Sequence, residues 1–127
     1  MRLRLRGGLV FVSVRLMMHD RRITLKDVLL DTGSAATLFS LDAVAALGLK
    51  PEPQGPLRRI RGVGGSEYVF EKSVSMISVG SLRQRDFAIQ VGIMDYGMRC
   101  DGILGLDFLL QVRAVIDLGE RRLRQAG

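Results

Sequence analysis

The chain consists largely of short β-forming runs that are interrupted by glycines and polar turns. Arg2 to Arg6 alternates arginine with leucine, which is the period of a half-buried strand. Leu9 to Met18 and Ile23 to Leu30 are longer β-rich runs, and the polar turn between them predicts a hairpin. The same pattern continues to the end of the chain, where Ala114 to Leu118 and Arg121 to Arg124 predict a closing hairpin. The sequence therefore predicts about eight to ten short strands and a mainly β fold.

Two segments are predicted to be short helices within this β architecture. Ser40 can cap a helix that runs to Leu47, and Gly48 is placed to end it. The second helix is the apolar run Leu106 to Leu110, which follows a glycine-rich strand end. All three prolines lie in the segment Lys50 to Pro56, which we interpret as an extended linker and not as a domain boundary.

Size and composition limit the chemistry that the chain can perform. With 127 residues, 47% of them hydrophobic, it can fill one core, and we expect residues 1–127 to form a single domain. Cys100 is the only cysteine, which excludes an intrachain disulfide and a zinc site of several thiolates. His19 is the only histidine, so a Ser-His-Asp triad has little support. We expect no metal and no cofactor, and acidic side chains remain as the catalytic candidates.

The net charge of +6 includes arginines that crowd both ends of the chain. Such a surface can attract nucleic acid or an anionic membrane, or can simply protect edge strands from pairing with other edges. With no tryptophan and two tyrosines, the chain has few platforms for stacking bases, so we do not expect a nucleic-acid partner.

No stretch of the sequence has the length of a membrane-spanning helix, and the apolar run Leu9 to Val14 is too short for a secretory signal. We expect a cytoplasmic protein, although a signal or anchor removed upstream of this sequence would also be compatible with it.

The segment from Leu29 to Ser34 reads Leu-Leu-Asp-Thr-Gly-Ser and interrupts the strand pattern. An ionised carboxylate such as Asp31 is unusual after two leucines, because charged groups avoid apolar surroundings unless they are paired. Gly33 permits a close backbone approach, and the hydroxyls of Thr32 and Ser34 can bond to a carboxylate or to the backbone. The same residue types are common in ordinary strand-to-helix turns, so this motif alone is only moderately specific.

Three motifs together resemble those of the retropepsin-like aspartic proteases, in particular the single-domain bacterial type, across residues 9–124. In that family a hydrophobic-hydrophobic-Asp-Thr-Gly-Ser/Ala motif carries the catalytic acid, and Leu29 to Ser34 matches it. A glycine-rich flap hairpin follows roughly thirty residues later and is matched by Ile60 to Gly65. An apolar-apolar-Gly element that leads into a helix is matched by Asp101 to Leu109.

The resemblance implies a retropepsin-like barrel subunit and an aspartic endopeptidase that hydrolyses polypeptides. Two carboxylates held close together share one proton and activate a water between them. Only one Asp-Thr-Gly occurs in the chain, so the second carboxylate would be Asp31 of a second copy in a homodimer. Asp101 is the nearest internal candidate, but the resemblance places its segment beneath the active site, and we reject it. The alternative is a module of the same fold that dimerises or binds peptide without catalysis.

The resemblance also implies roles for the residues around Asp31. Thr32 would bond to the loop of the opposite subunit, and Gly33 would keep the backbone close to the water and substrate. Ser34 would donate a hydrogen bond to the Asp31 carboxylate and favour its charged form, from which we expect the highest activity at mildly acidic pH.

Two further segments complete the predicted site. The support beneath Asp31 would be the segment Ile103, Leu104 and Gly105. The flap, which would close over an extended peptide and exclude water, would be Gly62, Val63, Gly64 and Gly65. A simple exposed hairpin turn is the plain alternative for the flap segment.

Overall fold

The structure is a computed structural model that describes residues 1–49, 58–62, 65–94 and 97–127. The described residues form ten strands, one α-helix and one 3-10 turn, so the predicted mainly β fold is confirmed. The strands are β1 (Arg4–Arg6), β2 (Leu9–Met18), β3 (Arg21–Leu30), β4 (Leu38–Ser40), β5 (Arg58–Gly62), β6 (Gly65–Val79), β7 (Leu82–Gly92), β8 (Gly102–Leu104), β9 (Ala114–Asp117) and β10 (Arg122–Gln125). The helix α1 spans Leu106–Gln111, and the 3-10 turn spans Ala45–Leu47.

Six of the strands close into a barrel. Eight strands follow one another in the order β1-β2-β3-β8-β4-β7-β6-β5, and an additional pairing of β2 with β6 joins the two ends of the six central strands. Leu16 and Ile77 are opposed at this closing seam, and both are completely buried. Closure leaves β1 and β5 as outer strands, while β9 and β10 pair with each other as the predicted closing hairpin.

The barrel is filled by aliphatic side chains and a few phenylalanines. Burial of these side chains drives folding, at about 25 cal/mol for each Å² removed from water. The rings of Phe87 and Phe108 meet edge to face with centroids 5.9 Å apart, which ties α1 to the barrel wall. The largest fully buried side chains are Phe11, Phe39, Phe108, Leu16, Ile77, Ile89, Leu104 and Leu123.

The short strand β8 is inserted between two strands that come from the first half of the chain. It runs parallel to β3 and antiparallel to β4. A Cβ atom at Gly102 would lie 2.5 Å from the ring of Phe39 and 2.6 Å from the carbonyl oxygen of Leu38. Because no side chain fits there, glycine is what lets β8 approach β4 closely enough to pair.

The predicted helix from Ser40 to Leu47 is wrong for most of its length. Ser40 ends strand β4, where its amide donates to the carbonyl of Asp101, and only Ala45–Leu47 forms a single 3-10 turn. The amide of Leu41 donates to the carbonyl of Gly92 on β7, so the start of the predicted helix is held to the sheet, and residues 41–44 form turns before the 3-10 turn begins. Gly48 does end the turn as predicted, with φ of 74° and its amide donating to Ala45.

Of the other predicted elements, two are confirmed and one lies outside the described residues. The β2–β3 hairpin and the helix after Gly105 are confirmed. The predicted linker Lys50 to Pro56 lies outside the described residues. Within the described ranges, no helix is long and apolar enough to cross a membrane.

Candidate active site

Asp31 directly follows β3, and the inserted strand β8 fixes its backbone. The register of β3 and β8 pairs Leu29 with Ile103 and Leu30 with Leu104. The amide of Asp31 extends this ladder by donating to the carbonyl of Leu104 at 3.0 Å. The structure therefore places the predicted segment Ile103 to Gly105 beside the Asp-Thr-Gly-Ser loop.

The loop folds back onto its own carboxylate. The amide of Gly33 donates to Oδ1 of Asp31 at 2.9 Å, and the amide of Ser34 donates to the Asp31 carbonyl at 3.2 Å. A Cβ atom at Gly33 would lie 3.1 Å from the same Oδ1, so any side chain would crowd the carboxylate. Asp31 is half-buried while Thr32 and Gly33 are exposed, which leaves the tip of the loop open to a partner or a ligand.

The hydroxyl of Ser34 does not make the predicted contact. It donates to the carbonyl of Ala36 at 2.7 Å instead of to the Asp31 carboxylate. The turn at Gly33 directs the Ser34 side chain along the loop, so its hydroxyl closes the backbone of residues 34–36. The Ser34 hydroxyl therefore does not stabilise the charged form of the Asp31 carboxylate as predicted. The expected mildly acidic optimum then depends only on the proton that a carboxylate pair would share.

The loop is anchored from below by a pair that the sequence analysis missed. Thr37, which is completely buried, donates its amide to Oδ2 of Asp107 at 3.1 Å and its hydroxyl to Oδ1 at 2.7 Å. The Thr37 hydroxyl also accepts the amide of Gly105 at 3.1 Å. Asp107 lies in the first turn of α1, and its Oδ1 accepts the amide of Phe108 at 2.8 Å. We call this set of contacts the Thr37–Asp107 clamp.

A signal for the clamp is present in the sequence. A threonine followed by the apolar pair Leu38 and Phe39 requires a hydrogen-bonding partner once it is buried. An aspartate in the first turn of a predicted helix has a carboxylate placed to accept backbone amides. Neither signal identifies the other residue, because the two are separated by 70 positions in the chain.

Gly105 allows the loop to rest directly on the start of α1. A Cβ atom at this position would lie 2.4 Å from the carbonyl oxygen of Ala36 and 2.8 Å from that of Ser34. The amide of Leu106 donates to the same Ser34 carbonyl at 2.8 Å. The glycine of the apolar-apolar-Gly motif therefore removes a steric barrier between the candidate catalytic loop and its support.

Asp101 lies at the opposite end of β8 from Leu104. Its backbone amide donates to the carbonyl of Asp27 at 2.7 Å, and its carboxylate accepts the amide of Asp27 at 3.2 Å. Asp27 also forms an ion pair with Arg6 at 3.2 Å. The Asp101 carboxylate thus stabilises the start of the pairing between β3 and β8 by its hydrogen bond to Asp27. This structural role agrees with rejecting Asp101 as a second catalytic acid.

Cys100 is half-buried beside this cluster, and its Sγ donates to the carbonyl of Gly102 at 3.2 Å. Burial raises the pKa of the Cys100 thiol and outweighs the opposing effect of backbone hydrogen bonds. The thiol is therefore protonated at neutral pH and is a poor nucleophile.

The predicted flap falls partly within the described residues. β5 and β6 pair in antiparallel fashion as far as Gly62 and Gly65, which are opposed. Val63 and Gly64, the predicted tip, lie outside the described residues. Among the residues that are described, no group of three or more His, Cys, Asp and Glu side chains is arranged to hold a metal ion.

A closed six-stranded barrel, with an Asp-Thr-Gly loop that rests on an inserted strand, defines the class of aspartyl protease folds. The sequence model of the aspartyl protease family matches residues 14–108, and the chain belongs to this family.

The chain is also similar to the crystal structure of a retropepsin-like aspartic protease from Rickettsia conorii. Sequence identity is 17%, the TM-score is 0.64, and the match covers 91% of this chain and 90% of the other. The predicted retropepsin-like fold is confirmed by this similarity. The chain matches none of the curated proteins with which it was compared.

Proposed function

We propose that the protein is an aspartic endopeptidase whose active form is a homodimer with two Asp31 carboxylates around one water. The observation that carries the proposal is the Asp31 carboxylate itself, which sits at an accessible loop while the Gly33 amide holds one of its oxygens. Membership of the aspartyl protease family supports the hydrolase chemistry.

A single carboxylate does not complete this chemistry. One group has to take a proton from water while another protonates the carbonyl oxygen of the peptide bond. Two carboxylates that approach closely cannot both ionise, so they share a proton and supply one base and one acid. As the tetrahedral intermediate collapses, the two roles exchange. The carboxyl group that took the proton from water gives it to the leaving amine, and the other carboxylate takes a proton back from a hydroxyl of the intermediate, which restores the pair. The two groups titrate as a coupled pair.

The second carboxylate is assigned to a second copy of the chain. The Leu-Leu-Asp-Thr-Gly-Ser motif occurs once, and a two-fold axis brings identical surfaces together, so residues near the axis meet their own copies. Thr32, which is exposed, would then bond to the opposite loop. Ile103, Leu104 and Gly105 support each loop from its own subunit.

The flap assignment belongs to the same proposal. The β5–β6 pairing carries the chain out to Gly62 and Gly65, and the segment Gly62 to Gly65 would close over an extended peptide. An extended polypeptide is the substrate class that a cleft between two such subunits accommodates.

The first test compares wild type with Asp31→Asn on a diverse peptide mixture, with cleavage read by mass spectrometry and molar mass by light scattering. We expect cleavage to fall by at least about a hundredfold. Asp42→Asn is the matched control, because Asp42 is an exposed aspartate outside the site. Cleavage that survives Asp31→Asn would remove this residue from the mechanism.

A mixing experiment tests the shared pair directly. When wild type and Asp31→Asn are refolded together in equal amounts, only about one quarter of randomly formed dimers carry two intact carboxylates. Activity should fall to that fraction of the value for the same total protein. Activity that stays at one half would indicate independent subunits. A stable dimer without any cleavage would favour the alternative of a non-catalytic dimerisation or peptide-binding module.

A further inference from the structure

The barrel carries a strongly basic outer face at the end away from Asp31. Leu16 and Ile77 are opposed between β2 and β6 and point into the core, so the residues on either side of them point outward. These outward residues continue in register onto β3 and β7. They form two rows across four adjacent strands, Thr24–Arg15–Ser78–Arg83 and Arg22–Met17–Met76–Arg85, which we call the arginine–methionine face.

The charge of this face is not compensated within the part of the chain that the structure describes. All four arginines are exposed, and their guanidinium groups make no ion pair or hydrogen bond there. Neither row contains an acidic residue. The closest acidic residues in the sequence are Asp20, in the β2–β3 turn, and Asp86, beside Arg85, and both lie outside the rows. Uncompensated like charges held on one sheet create a potential that attracts an anionic partner.

The layout of the face is specific as well as basic. Adjacent strands are about 4.8 Å apart, so Arg22 and Arg85 are separated by about 14 Å, with Met17 and Met76 between them. The second row lies about 7 Å away and adds Arg15 and Arg83. A partner therefore meets positive charges at both edges of an apolar centre.

These properties favour a polypeptide over the other anionic partners. Neither row contains an aromatic side chain on which bases could stack, and phosphate contacts alone would not use the two methionines. Met17 and Met76 are half-buried, so they do not project far enough to insert into a lipid surface. Arginine and methionine are enriched at protein interfaces, and arginine binds carboxylates in a bidentate manner.

We propose that the arginine–methionine face docks an acidic amphipathic segment of another polypeptide. Its carboxylates would pair with the arginines, and its apolar side chains would cover Met17 and Met76. A helix of about ten residues spans the 14 Å between the two edges. Arg22 is the second residue of β3, and Asp31, which directly follows β3, lies nine residues later, or about 30 Å along an extended strand. Docking therefore leaves the Asp31 loop accessible, and the proposal does not depend on the proposed protease activity.

The test measures binding of a labelled synthetic peptide by fluorescence anisotropy. The peptide is an amphipathic helix with glutamates about ten residues apart on one face and leucines between them. The full chain carries Asp31→Asn, so that the peptide is not consumed. We expect saturable binding that weakens with added salt. A peptide with the same composition in shuffled order should bind at least about fivefold more weakly.

Paired variants locate the binding. Arg22→Gln/Arg85→Gln should raise the Kd about tenfold, because two carboxylate pairings are lost. Arg122→Gln/Arg124→Gln removes the same charge from exposed residues of β10 and should change the Kd less than about twofold. Met17→Ser/Met76→Ser keeps the charge and should still weaken binding severalfold. Thermal unfolding of each variant verifies that the fold is intact.

Several outcomes would overturn the proposal. The proposal is wrong if the intact protein shows no saturable binding of the peptide, or if the shuffled peptide binds equally well. It is also wrong if the two arginine variants lose the same amount of peptide affinity. Tighter binding of a duplex RNA of about 16 base pairs, or of phosphatidylserine vesicles, through the same arginines would replace the polypeptide with a nucleic acid or a membrane.

Discussion

Thr37 donates its backbone amide to one carboxylate oxygen of Asp107 and its hydroxyl to the other. The two residues belong to the loop that follows Asp31 and to the helix that follows β8. Their contact therefore ties the candidate catalytic loop to its support with a pair of hydrogen bonds that involve a charged acceptor. Such bonds are stronger than those between neutral groups.

Replacement of Asp107 by asparagine should destabilise the protein even though the shape of the side chain is kept. In either orientation of the amide, its NH2 group faces a backbone N–H, that of Thr37 or that of Phe108. We expect a loss of about 2–3 kcal/mol in the free energy of unfolding, measured by urea denaturation. Asp42→Asn on the exposed surface is the control and should change this free energy by less than about 0.5 kcal/mol. Equal effects of the two substitutions would contradict the clamp.

Gly105→Ala should be among the most damaging substitutions of a glycine in this chain. The new methyl group would lie 2.4 Å from the carbonyl oxygen of Ala36, which is backbone and cannot rotate away. We expect a loss of at least about 3 kcal/mol, or failure to fold, measured by thermal and urea unfolding. Gly119→Ala is the matched control, because its nearest neighbour would lie at 3.5 Å. A stable Gly105→Ala protein would show that the loop does not rest on α1 as described.

Ser34→Ala should separate a structural role of the hydroxyl from an electrostatic one. The hydroxyl bonds to the Ala36 carbonyl, so its removal should cost about 1 kcal/mol of stability. Because it does not contact the Asp31 carboxylate, the acid limb of the pH–rate profile should keep its position. A displaced acid limb with unchanged stability would instead support the contact that was expected from the sequence.

The Cys100 thiol should react slowly with iodoacetamide at neutral pH. Burial raises its pKa, so the reactive thiolate forms only at a higher pH than in an unfolded chain. The alkylation rate, followed by mass spectrometry, should therefore increase when the protein is unfolded in urea. In a pH series, the increase in rate should occur at a higher pH for the folded protein than for the unfolded one. Equal rates in the folded and unfolded states would contradict the burial of this thiol.

The sequence by itself determined the parts of this protein that depend on neighbouring residues. Alternation and turn residues predict the β2–β3 and β9–β10 hairpins, because strand pairing across a short turn is a local event. The motif from Leu29 to Ser34, the glycine-rich segment and the Gly105 element predict the family, because each keeps a fixed local pattern. Gly48 predicts the end of its turn for the same reason.

Only the tertiary structure decided which distant groups meet. Local signals from Ser40 to Leu47 favour a helix, yet the amides of Ser40 and Leu41 donate to Asp101 and Gly92, and only Ala45–Leu47 forms a 3-10 turn. The hydroxyl of Ser34 bonds within its loop, and Thr37 finds Asp107 on an element 70 residues away. The arginine–methionine face likewise exists only because closure of the barrel places four strands in one register. Hydrogen-bond partners and shared surfaces follow from the topology of the chain. The local patterns that predict single strands do not specify this topology.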